Sequence, residues 1–130
     1  MTLPIPTERD TQRAILKMAG RCFPDVFIHH SPNGAYFGGS DKVRKMRGGI
    51  MAGDGVKAGF PDLVAYWQGG HMLLEVKRAK GGVVSDAQKA LHERLSAIGW
   101  PVSIVRSPDE AMVALLDAGA PTCLVASIGG

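Results

Sequence analysis

Apolar positions recur along this chain with two periods, and the changes between them mark its elements. From Thr7 the spacing is helical: Glu8, Gln12, Ile15 and Ala19 fall at i, i+4, i+7 and i+11 and share one face. Thr7 is placed to cap that helix, Asp10 holds its third position, and Gly20 is expected to help end it. "DVFIHH", from Asp25 to His30, predicts a strand, and the "SPNG" after it is turn chemistry. Between Ser40 and Gly53 the pattern is ambiguous. Val43, Met46 and Ile50 keep helical spacing, while Gly48, Gly49 and Gly53 weaken it. Asp62 to Trp67 and His71 to Arg78 predict two strands, joined as a hairpin through Gln68, Gly69 and Gly70.

A second well-marked helix follows. Ser85 and Gln88 make a capping-box pair, Ala87, Leu91, Leu95 and Ile98 form an apolar stripe, and Gly99 with Pro101 ends it. Val102 to Arg106 predicts a short buried strand. Ser107, Pro108 and Glu110 open a last helix, with Met112, Leu115 and Leu116 inward and Gly119 at its end. The tail from Pro121 to Gly130 is apolar and fits no element. This order predicts an α/β fold: a mixed sheet flanked by helices, core order α-β-β-β-α-β plus a C-terminal helix. The unit from His71 to Arg106 is expected to be a right-handed crossover between parallel strands.

The 130 residues suit one domain, with a core over about 7–118 and a tail over 119–130. No apolar run approaches the roughly 20 residues a membrane span needs. The N-terminus lacks the basic start and apolar stretch of a secretory signal. Cys22 and Cys123 match no metal spacing and suit buried or inert thiols in a reducing compartment. The expectation is a cytoplasmic protein of a bacterial or phage-infected cell, with no membrane partner and no small-molecule substrate. The net charge of +3 matters through its distribution. Lys42, Arg44, Lys45, Arg47 and Lys57 fall in one segment, and Lys77, Arg78 and Lys80 in another. Either cluster alone could be a solvated face. Two clusters flanking an acidic pair suit a polyanion.

That acidic pair is Asp62 and Glu75. Glu75 and Lys77, two apart in a strand, project to one face, and Val76 projects to the other. Pro61 places Asp62 near the start of its own strand. In an antiparallel hairpin that start lies beside the end of the next strand, so Asp62 is expected near Glu75 and Lys77. Two adjacent carboxylates repel unless a cation separates them, and Mg²⁺ favours such hard oxygens together with phosphate oxygens. Lys77 is the candidate to orient or deprotonate an attacking water. The chemistry that fits is phosphodiester hydrolysis. The competing explanation for the three groups is a structural ion-pair network at a strand end.

Pro61-Asp62 followed by Glu75-Val76-Lys77 resembles the PD-(D/E)xK nuclease motif. More narrowly, "GFPDL", "LLEVKRAKGG" ahead of "VSDAQKALHERLSAIGWPV", and "VRSPDEA" resemble the virus-type replication-repair nuclease family, VRR-NUC. The resemblance runs from about Thr7 to Leu116 and is strongest from Gly59 to Arg106. It implies a restriction-endonuclease-like fold and a Mg²⁺- or Mn²⁺-dependent deoxyribonuclease. Asp62, Glu75 and the Val76 carbonyl would hold the metal, and Lys77 would act on the water. Gln88 matches the family's glutamine on the helix after the third core strand. Glu8 matches an acidic residue of the first helix that helps bind a second metal. Short stand-alone members resemble homodimeric four-way-junction resolvases, which sets that expectation here. A flap or single-strand-end nuclease, or an inactive DNA-binding module on the same fold, are the alternatives.

Several residues keep two explanations. Gln88 also suits the capping box, and Glu8 also suits the dipole of the first helix. His29 and His30 point to opposite faces, so one is expected in the wall and the other, His30 with Asn33, near a phosphate. His71 and His92 read as surface residues, and Trp67 and Trp100 as core or dimer packing.

Overall fold

The computed structural model describes residues 3–31, 40, 42, 45–47, 49, 53, 55, 57 and 59–124. Arg44, Asn33, Val43, Gly48, Ile50, the "PNG" of the turn and residues 125–130 lie outside the described residues.

Helix α1 spans Glu8–Cys22. Thr7 caps it as expected: its hydroxyl accepts from Asp10 N at 3.0 Å, and the Asp10 carboxylate accepts from Thr7 N at 3.3 Å. Its buried stripe is Thr11, Ile15 and Ala19. Glu8, in the opening turn, is exposed rather than buried with that stripe. Strand β1 (Phe27–His30) follows. Next come β2 (Leu63–Trp67) and β3 (Gly70–Val76), then helix α2 (Asp86–Ala97), strand β4 (Val102–Val105) and helix α3 (Pro108–Asp117). In the segment before β2, Lys42, Lys45, Met46, Arg47, Gly49 and Gly53 have helical backbone. The sheet order is β1-β2-β3-β4, with the first two pairings antiparallel and β3 with β4 parallel.

This is the mixed α/β layering that the pattern predicts. Alternation within β2 and β3 separates two faces. On one, Leu63, Leu74, Val76 and Val105 pack with Ile15 of α1 and Ala111 of α3. Phe23, Ala65, Leu115 and Ala120 extend that core toward the far end of the sheet. Glu75 points to the opposite face, where α2 approaches. The described tail returns to α1: Thr122 and Cys123 both donate to the Cys22 carbonyl. Cys123 is exposed and Cys22 half-buried, so neither is a fully buried thiol. Among the described residues no helix is long and apolar enough to cross a membrane.

Two boundaries differ from the pattern. Gly70 belongs to β3 and pairs with Trp67, which shortens the hairpin turn to Gln68 and Gly69. β3 ends at Val76, so Lys77 and Arg78 lie beyond it, although Lys77 N still bonds the Val105 carbonyl at 3.0 Å. In α2 the inward residues are Gln88, Leu91, His92 and Leu95, whereas Ala87 is exposed and Ile98 is 73% exposed. The helix is turned toward the polar residues at the end of β3, a preference that apolar spacing does not register.

Candidate active site

Asp62 precedes the Leu63–Leu74 pair, so it sits level with Glu75 across the hairpin. Its carbonyl accepts from Ser31 N at 2.7 Å and from His30 Nδ1 at 3.0 Å. Its Oδ2 accepts from Val76 N at 2.8 Å. Both ends of the residue are therefore held by neighbouring strands. Gly59 steers the chain into this position. Its φ is +83°, and a Cβ there would come within 3.0 Å of the Ala87 and Gln88 backbone. The loop that delivers Asp62 thus rests on the first turn of α2.

Glu75 is 1% exposed, and Lys77 is also buried. Gln88 links them. Its Nε2 donates to Glu75 Oε1 at 2.7 Å, and its Oε1 accepts from Lys77 Nζ at 2.9 Å. The same Oε1 accepts from Ser85 N at 2.9 Å, while Ser85 Oγ accepts from Gln88 N at 3.1 Å. Gln88 therefore performs both roles that its position allows, closing the capping box and bridging the two charged groups. Lys77 Nζ stands 3.5 Å from Glu75 Oε1.

The electrostatics are those of a crowded anionic pocket. Burial, then the Asp62 charge, push the Glu75 carboxyl from 4.5 up to about 8, with Lys77 pulling the other way. A carboxyl held this far up is one whose anion has too little positive charge nearby. A divalent cation between Asp62 and Glu75 would correct that, and the donors are hard oxygens of the kind Mg²⁺ or Mn²⁺ accepts. Asp62, Glu75 and the Val76 carbonyl could hold one. Among the described residues no three His, Cys, Asp or Glu side chains gather into an all-protein cage, so other oxygens would complete the coordination. Glu8 is exposed at the opening turn of α1. It shares with Asp62 and Val76 a cleft of about 500 Å³, also lined by Arg9, Arg13 and His30.

The remaining sequence candidates divide. Lys42, Lys45, Arg47, Lys57, Arg78 and Lys80 are exposed, and the Arg78 carbonyl accepts from Arg106 Nη1 at 2.7 Å. His30 lies on the cleft beside Asp62, and His29 stacks on Tyr66 at 5.7 Å. His71 stacks on Trp100 at 3.4 Å, and Trp67 packs against the core. His92 is the residue that sequence reasoning missed. Its side chain is 13% exposed, and its Nε2 stands 3.9 Å from Glu75 Oε2. Burial, then the Lys77 charge, lower its pKa. Its i+4 spacing from Gln88 is the signal that could have found it.

A solved structure named "VRR_NUC domain protein" aligns with 89% of this chain and 90% of its own, at 25% identity and a TM-score of 0.62. The chain has the VRR-NUC fold. No family model and no curated protein matches it. The likeness extends over most of the chain, and it supports a nuclease-type function for this VRR-NUC-like protein.

Proposed function

We propose that this protein is a divalent-metal-dependent DNA endonuclease that hydrolyses phosphodiester bonds. The observation that carries the reading is the network in which Asp62, Glu75, Lys77 and Gln88 converge around one strand end. An ion-pair network alone would leave unexplained why Glu75 is buried beside a second carboxylate and driven up to about pKa 8.

Asp62, Glu75 and the Val76 carbonyl would hold Mg²⁺ or Mn²⁺. Such an ion would supply positive charge against the phosphate and lower the pKa of a bound water. Lys77, fixed by Gln88, presents Nζ to the attacking water and orients it toward phosphorus. Glu8, across the cleft from Asp62, is the candidate to assist a second ion. Exposed Lys42, Lys45, Arg47, Lys57, Arg78 and Lys80 neutralise the DNA backbone, and His30 contacts a phosphate near the cleft.

Four-way junctions are the proposed substrate and a homodimer the proposed form, both resting on the family resemblance. β4 is an edge strand, and its exposed Ile104 adjoins an apolar groove of about 740 Å³ shared with Val113 of α3.

Labelled junction, flap, duplex and single-stranded DNAs incubated with Mg²⁺ or Mn²⁺ provide the test, with solution sizing alongside. The expected outcome is junction cleavage by a dimer, lost by about 10²-fold or more in Asp62→Asn while DNA binding survives. Preference for flaps or single-stranded ends would move the substrate assignment to that alternative. Cleavage by Asp62→Asn at the wild-type rate would remove this site from the chemistry.

A further inference from the structure

The two oxygens of Glu75 are treated differently. Oε1 accepts from Gln88 Nε2 at 2.7 Å and lies 3.5 Å from Lys77 Nζ. Oε2 is buried and has no hydrogen-bond partner among the described residues. His92 Nε2 faces it at 3.9 Å, and that nitrogen is also buried and unpaired among them. Buried polar atoms without partners are rare and costly, so two that face each other across a short gap need an explanation. The gap is less than the roughly 4.4 Å that two hydrogen bonds to one water span, and about 1 Å longer than a direct N–H···O bond. A shift of about 1 Å in the His92 ring would bring the two atoms within hydrogen-bond distance.

We propose that His92 is a positioning residue: its Nε2–H donates to Glu75 Oε2 and fixes the carboxylate for the divalent ion. Gln88 and His92 are one helical turn apart on the inward face of α2. One helix face thus grips both oxygens of one carboxylate, Oε1 through an amide and Oε2 through an imidazole. An ionised carboxylate offers about four acceptor sites, so two such bonds leave lone pairs for a cation. Partners of this kind hold a ligand's orientation, and losing one typically weakens metal binding by about 10–100-fold. This inference rests on the metal-dependent reading of the site.

Calorimetric titration of Mn²⁺ into the full chain without DNA tests it apart from catalysis. The variants are His92→Leu, which keeps bulk and removes the donor, and His92→Gln, which restores an N–H donor. His92→Leu is expected to bind Mn²⁺ about 10–100-fold more weakly, and His92→Gln to recover to within a few fold of wild type. Thermal melts of each variant accompany the titration. Wild-type affinity in His92→Leu overturns the proposal, as does equal weakening in His92→Gln when both variants are folded. Should His92→Leu not fold, folded His92→Gln with near-wild-type affinity supports the donor role, and an affinity about tenfold weaker overturns that role. Asp62→Asn distinguishes the two levels. If it leaves Mn²⁺ binding intact, or if wild type takes up no Mn²⁺, the metal reading fails and this inference with it.

Discussion

Gln88 serves a helix and the candidate site with one amide. Its backbone N–H and side chain close the capping box with Ser85, and the same side chain ties Lys77 to Glu75. The position of the helix start is thereby coupled to the geometry of the site. Glu75 carries the main electrostatic consequence. Folding raises its carboxyl from 4.5 to about 8, so the folded chain holds that proton more tightly than the unfolded chain. The contribution is fully present below pH 4.5 and is lost as pH rises through about 8. In EDTA, denaturant unfolding at pH 5, 7 and 9 should therefore show stability falling toward the alkaline side. Glu75→Gln should flatten that fall, and saturating Mn²⁺ should oppose it by binding the folded state. An equally steep fall in Glu75→Gln would assign it to other groups.

At the scale of elements, the caps and turns are legible because their determinants are local. Thr7 with Asp10, Ser85 with Gln88, and Ser107 with Pro108 each start a helix where the pattern places one. The hairpin also holds a close approach that spacing does not reveal. Gly70 lies under the Trp67 indole, and a Cβ there would overlap its Nε1. Gly70→Ala should destabilise the protein by about 1–3 kcal/mol through that overlap. Gly20, inside α1, has nothing within 4 Å of an added Cβ. Gly20→Ala should stabilise by about 0.5–1 kcal/mol. Thermal or denaturant melts of the two variants check the pair, and shifts of the same sign would contradict the packing described for Gly70. The inward face of α2 departs from the apolar stripe for the opposite reason. Its orientation follows Gln88 and His92 toward Glu75 and leaves Ile98 in solvent.

For the whole molecule, the sheet brings an anionic pocket to one end, while exposed cations lie on the segments that precede β2 and follow β3. A substrate that is itself anionic needs those cations, because the pocket alone would repel it. Neutralising Lys42, Lys45 and Arg47 together should reduce the slope of log affinity against log salt by about 0.9 for each phosphate no longer neutralised. Binding to a labelled duplex in Ca²⁺ across a salt series measures it. A slope equal to wild type would take this segment off the DNA. Two cuts on a branched substrate need two such pockets, which is the physical use of a dimer.

Sequence order alone carried the element sequence, the helix caps, the hairpin and the placing of Asp62 level with Glu75, because each rests on interactions between near neighbours or on strand periodicity. The depth of Glu75, its shift to about 8, and the approach of His92 came from packing α2 over the end of β3. Burial and low polarity are properties of the assembled layers, and they set how strongly two carboxylates repel and which donors reach them. A histidine written among the surface residues of a helix became a neighbour of the buried glutamate once that helix had a sheet to lie against.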